Sequence, residues 1–191
     1  MRILALAFVA LAGTVGSAQA EWGPFKDLPM SESPITIALK GWENGEWRRN
    51  NLQREWPPIS NSCTASNVYS NLQQGGYWGF LDFREASVSC DFNLGSVRTM
   101  IERSSTFKDS KVKFGKYDTV DNGSAEYRYL MFTSVRNDIT NQCIGFTASW
   151  REFMGQGYLC SNKGLSEEAG RTFLKSVGYK NVLSPVAGAL E

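Results

Sequence analysis

The chain contains no histidine. That absence excludes Ser-His-Asp and Cys-His nucleophile systems, zinc hydrolysis of the usual kind, and imidazole general-base chemistry near neutral pH. Any enzyme built on this sequence works with carboxylates, lysine, tyrosine or serine. Cys-x-x-Cys spacing is missing too, so the cysteines make a poor zinc set, and no metal or other cofactor is expected. Also missing are a glycine-rich phosphate loop, a dinucleotide fingerprint, low-complexity tracts and a solenoid-type repeat. Neither sign of charge is in excess, with 20 Lys+Arg against 19 Asp+Glu. Such a balance argues against nucleic acid and anionic membrane surfaces as partners and favours recognition by shape and stacking.

Only one long apolar run is present, and it is at the start. "MRILALAFVALAGTVGSAQA" carries a single cation, Arg2, then an apolar stretch from Ile3 to about Val15, then Ala18-Gln19-Ala20. This is the layout of a secretory signal with an A-x-A cleavage site, so residues 1–20 are read as a signal peptide and Glu21 as the first mature residue. The apolar core is short of the ~20 residues that span a bilayer, so no stable membrane insertion is expected after cleavage. The protein is expected to be periplasmic or secreted. On a eukaryotic route, Asn122-Gly123-Ser124 would be a glycosylation acceptor.

What remains, about 171 residues, is enough for one domain with a sizeable core. Residues 21–34, with Pro24, Pro29 and Pro34, form an irregular lead-in; 35–180 are the domain; 181–191 are a loosely held tail. All four cysteines, Cys63, Cys90, Cys143 and Cys160, lie in the exported part, which predicts two disulfides. Of the three connectivities, Cys63–Cys90 with Cys143–Cys160 is preferred because each closes a loop of modest length.

Period-two alternation over Ile35, Ile37 and Leu39 predicts a strand, and Asn44-Gly45 lies where a type I′ hairpin turn needs it. That register sets Trp42 opposite Trp47 and Ile37 opposite Leu52. The two indoles, with Lys40 and Arg49, then share a face pointing away from the core. Trp42, Trp47, Lys40 and Arg49 form a candidate binding surface suited to a sugar ring or an aromatic side chain; hairpin packing is the plainer role for the same residues.

Farther along, Val68 and Leu72 suggest a short helix ending at Gly75-Gly76, followed by an inner strand over 77–83. A helix is predicted at 94–104, capped by Ser96 with Val97, Met100 and Ile101 facing inward. Ser105-Thr106-Phe107-Lys108 matches the S-x-x-K spelling of serine β-lactamases and penicillin-binding proteins, but the S-D-N and K-T-G partner elements are absent, and the match is treated as coincidence. A second hairpin is expected around Asn122-Gly123, with Phe114, Tyr127, Tyr129 and Met131 on one face and Tyr117, Arg128 and Phe132 on the other. Asp118, Asp121 and Asn122 lack calcium-loop spacing and read as a solvated turn. Ile144, Phe146, Ala148 and Trp150 alternate as a strand. Finally, Ser166 caps a helix with Glu167 and Glu168 in its first turn and Ala169, Phe173, Leu174 and Val177 as its apolar stripe.

The expected fold class is α+β: a single domain with a mostly antiparallel, meander-like sheet and two or three helices covering one face. Two functions fit. One is a non-catalytic exported binding or partner protein of the cell envelope, such as an inhibitor or protective protein, whose partner is another exported protein or an envelope glycan. The other is a carboxylate-based glycan hydrolase drawing on Glu43, Glu46, Asp82, Glu85 or Glu126, which needs two acids across a cleft.

Overall fold

The computed structural model describes residues 26–28, 33, 35–39, 46–54, 63–86, 95–123, 125–150 and 153–179; for 26, 28, 46–54, 63–67, 85–86, 150, 153 and 179 it describes the backbone alone. Eight strands form one antiparallel sheet. A first meander contains β1 (Lys26–Leu28), β3 (Glu46–Arg54), β4 (Cys63–Gln74) and β5 (Tyr77–Ala86). A second runs through β6 (Lys111–Asp121), β7 (Glu126–Arg136), β8 (Ile139–Trp150) and β9 (Phe153–Ser161). The spatial order is β1-β3-β4-β5-β9-β8-β7-β6, so the meanders meet where β5 pairs with β9. A separate pair joins β2 (Ile35–Ile37) to β10 (Val177–Tyr179). The helices are α1 (Val97–Arg103) and α2 (Glu167–Ser176), with a short 3-10 turn over Ser105–Phe107.

Turn chemistry explains the tight connections. Gly75 and Gly76 both take positive φ, 60° and 94°, which lets β4 reverse directly into β5. Asn137 and Asp138, at φ 50° and 61°, do the same between β7 and β8, because Asn and Asp tolerate the left-handed region.

Both faces of the sheet are buried. On one face Val68, Leu72, Leu81, Phe83, Tyr127, Ile144 and Phe146 pack under Phe173 and Leu174 of α2 and under Ile35 and Ile37. On the other, Leu130, Phe132 and Tyr158 pack with the Cys143–Cys160 disulfide under Val97 and Ile101 of α1 and Phe107. The α+β class and antiparallel meanders are as expected, but the helices divide between the two faces rather than sharing one. Neighbouring residues of β8 show this. A Cβ on Gly145 would fall 2.8 Å from Val97, whereas Ile144, pointing the opposite way, approaches within 2.9 Å of the Cβ position of Gly170 in α2.

Three other expectations change. The hairpin about Asn44-Gly45 does not set the observed register: Ile37 pairs with Val177, Leu52 with Ala65, and Trp47 stands between Leu28 and Ser70. At Trp47 both edges of β3 are paired, one with β1 and the other with β4; Trp42 lies outside the described residues. Residues 64–74 are strand, not helix. Val68 and Leu72 are four apart, a spacing that shares a face in either structure, and the buried serine between them, Ser70, masks the alternation. In the second hairpin Phe114 pairs with Phe132, because a bulge between Phe114 and Tyr117 inserts one residue into β6 and moves Phe114 to the face of Tyr117.

The Cys143–Cys160 bridge is present, joining directly opposed residues of β8 and β9 with Cα atoms 4.0 Å apart. The Cys63–Cys90 pairing, Asn44-Gly45 and the signal and tail segments lie outside the described residues, as does the lead-in apart from Lys26–Leu28 and Ser33. Asn122 is not solvated: it is 4% exposed, with Nδ2 donating to the Val177 carbonyl at 2.8 Å and Oδ1 accepting from the Ala125 amide at 2.9 Å. With its nitrogen so engaged, Asn122 is not available as a glycan acceptor in the folded chain.

Candidate functional site

The chain between the two meanders builds a cleft against the sheet. Leaving Gly95, it enters α1 at Ser96, whose side chain accepts from the Thr99 amide. After two turns Ser104 ends the helix and accepts in its side chain from the Thr106 amide, opening the 3-10 turn. Phe107 then anchors the segment, its ring packed edge-on against Tyr158 at 4.9 Å and Phe132 at 5.3 Å.

Between this segment and the sheet lies a cleft of about 780 Å³. Its floor is Asn71 of β4, Phe80 of β5, and Gln156 and Tyr158 of β9; its wall is Thr99, Met100 and Arg103 of α1 with Ser104, Ser105 and Thr106. The register explains the floor, since Asn71, Phe80 and Tyr158 lie in one row across three adjacent strands. The Phe80 ring sits 5.8 Å from Tyr69 and 6.0 Å from Tyr158, so aromatic surface runs along that row and the next.

The polar groups are fixed as well as present. The Tyr158 hydroxyl donates to Thr106 Oγ1 at 3.2 Å; burial pushes its pKa up, and hydrogen bonding to Thr106 and Ser104 only partly offsets this, so the phenol is neutral at ordinary pH. Gln156 Nε2 donates at 2.8 Å to Asp82 Oδ2, which also meets Arg84 at 3.3 Å. A carboxylate only accepts, so the Gln156 amide can be oriented in one way, leaving Oε1 as its acceptor. Asp82 is 5% exposed and its Oδ1 has no hydrogen-bond partner.

Beyond α1, Arg98 and Arg128 lie over the Tyr117 ring at 5.8 and 4.5 Å from its centroid, and Arg98 also over Phe114 at 5.4 Å. The ion pairs among the described residues are Arg84–Asp82, Arg136–Asp109 and Arg171–Asp118, so the exposed Arg98, Arg103 and Arg128 have no carboxylate of the described residues within 4.0 Å. On the opposite face, Tyr129 donates to Glu167 at 2.8 Å and accepts from Arg171, tying α2 to β7. Burial first, then the Glu167 carboxylate, raises the Tyr129 hydroxyl to a pKa of about 12.

Trp42 and Lys40 lie outside the described residues, while the backbone of β3 sets Trp47 opposite Ser70 and Arg49 opposite Val68. Of the carboxylates, Glu43 lies outside the described residues, Glu46 and Glu85 are placed by backbone only, Glu126 is exposed on β7, and Asp82 sits beside the cleft, reaching it through Gln156. Among the described residues no acid lines the cleft. The one signal for the cleft in the sequence was the hydroxyl run "SST" after Arg103, set aside with the S-x-x-K match; Lys108 does not line it. Compared with known protein families and with curated proteins, the sequence matches none of them.

Proposed function

We propose that this chain is a non-catalytic exported binding protein of the cell envelope, periplasmic or secreted, and that the cleft beneath α1 is where it holds its partner. One observation carries the reading. The cleft offers hydroxyls, two carboxamides, one guanidinium and an aromatic floor, and no carboxylate among the described residues. Such a lining holds a polar molecule through many modest contacts and supplies no acid and base pair. The buried Cys143–Cys160 bridge supports an oxidising compartment, and no helix of the described residues is long and apolar enough to cross a membrane. A small polar molecule or a glycan end fits the cleft better than a protein surface does. The Trp42, Trp47, Lys40 and Arg49 surface stands as the alternative docking place.

The test is capture of small molecules and glycan fragments from a bacterial envelope extract, read by native mass spectrometry. The wild type is compared with Ser105→Trp, which fills the cleft from its exposed wall. Adducts on the wild type that the variant loses support the reading. Equal adducts on both, or oligosaccharide turnover that Asp82→Asn abolishes, overturn it, the latter in favour of the carboxylate hydrolase.

A further inference from the structure

Resting on the cleft as the binding site, we propose that its ligand is an acidic saccharide whose carboxylate is held by Arg103. Three features of the cleft select this class over neutral sugars, phosphates and peptides.

The first is the match of polar groups. Thr99 and Ser104, whose hydroxyls already meet Ser96 Oγ and the Thr106 amide, keep part of their hydrogen-bonding capacity, Ser105 adds a further hydroxyl, and Gln156, with Nε2 donating to Asp82, presents Oε1 as an acceptor. A ligand answering this set carries several groups that also donate and accept, which is the property of sugar hydroxyls. A peptide in an extended conformation instead seeks a sheet edge, and the floor here is the middle of a sheet, where β5 already pairs with β4 on one side and β9 on the other.

The second is the floor. Phe80, half-buried and flanked by Tyr69 and Tyr158, gives apolar ring surface next to the amides of Asn71 and Gln156. Pyranose rings have one apolar C–H face and a polar rim, and stacking on an aromatic ring beside amides satisfies both parts.

The third is the charge. Arg103 lines the cleft with no carboxylate within 4.0 Å among the described residues, and its planar fork suits a carboxylate, which it can engage with two parallel hydrogen bonds. Glu102, exposed on α1 next to Arg103, is not among the cleft-lining residues, and the charge of Asp82 is met by Arg84. A single guanidinium, with no lysine in the lining among the described residues, fits one carboxylate rather than a phosphate dianion.

The experiment uses the oxidised chain on an array of carboxylate-bearing oligosaccharides, each printed beside its neutral methyl ester. Arg103→Gln and Ser105→Trp are run in parallel, their folding checked by circular dichroism. The expected result is tighter binding of at least one acid than of its ester, by about tenfold or more. Arg103→Gln, at an exposed position, is expected to bring the acid down to the ester, and Ser105→Trp to remove both. Equal binding of acid and ester, or discrimination that survives Arg103→Gln, overturns the carboxylate assignment, yet leaves the cleft standing as the site if Ser105→Trp still abolishes binding. Failure of the wild type to bind any saccharide overturns the saccharide class outright; envelope-extract adducts lost by Ser105→Trp would then point to a ligand of other chemistry in the same cleft.

Discussion

Replacing Asn122 by Asp exchanges one nitrogen for one oxygen in the clamp that holds β10 against the β6–β7 turn. The native amide gives its Nδ2 to the Val177 carbonyl at 2.8 Å, while Tyr127 donates to the same oxygen at 2.6 Å. In Asn122→Asp the acceptor role toward the Ala125 amide survives, but a carboxylate oxygen replaces the donor and faces a carbonyl in a site only 4% exposed. Losing the donor costs about 1 kcal/mol, and leaving a charge buried against an acceptor adds about 1–3 kcal/mol, for a net loss of about 3 kcal/mol at neutral pH. The sign with pH follows. Burial against an acceptor raises the new carboxyl's folded pKa above its unfolded value near 4, so the penalty is absent below that value and grows as pH rises through the folded pKa. Once protonated, the group donates to Val177 again. Urea unfolding of wild type and variant at pH 7 and pH 4 measures the difference; at pH 7 the midpoint should fall by about 1.5 M at unchanged slope, and most of that gap should close at pH 4. A loss under about 1 kcal/mol at pH 7, or an equal loss at both pH values, would refute the clamp.

Gly157→Ala drives a Cβ into the Phe80 carbonyl oxygen, a backbone atom that cannot turn aside, and should cost about 3 kcal/mol or abolish folding, read by thermal melts; Gly123→Ala, with open space around it but φ at 83°, should cost about 1 kcal/mol. Because the folded pKa of Tyr129, about 12, lies above the ordinary value near 10, its contribution is complete below pH 10 and is lost as pH rises toward 12. Tyr129→Phe should therefore show a shallower fall in Tm between pH 9 and 12 than the wild type. Replacing Cys143 and Cys160 together by alanine removes a cross-link between residues 17 apart and should lower stability by about 3 kcal/mol in urea unfolding while leaving the secondary-structure content, read by far-ultraviolet circular dichroism, unchanged.

Much of the second meander could be read directly from the residues. Asn122-Gly123 marks its first turn, Cys143 and Cys160 fix the β8–β9 register, and Ser166 caps α2 through the Ala169 amide as its position suggests. Helix α1 began at its cap for the same reason. The first meander was harder. A serine in the core row of β4 hid the alternation, and a spacing of four residues does not separate helix from strand. Pairing of β2 with β10 spans about 140 residues, and no local pattern carries that distance. The cleft was hidden for a related reason. Its floor comes from three strands and its wall from a connecting segment, so no short stretch of sequence contains more than one side of it, and the only local trace, Arg103 followed by three hydroxyl residues, looks like an ordinary helix end.

Strands β5 and β9 carry a consequence for how the protein matures. Apart from β5–β9, β1–β3 and β2–β10, every pairing joins strands consecutive in the chain, so β3–β4–β5 and β6–β7–β8 can form while later residues are still absent. Only β9, arriving at residues 153–161, joins the two halves, and it brings Gln156 and Tyr158 to Asn71 and Phe80. A chain that has emerged only through β8 already has its hairpins and the segment of α1, but half the cleft floor does not yet exist. A nascent or truncated molecule thus lacks half the cleft floor, and, on the proposal that the cleft holds a ligand, binding would report on the junction of the two halves, where β9 closes on β5 across three intervening strands of the chain.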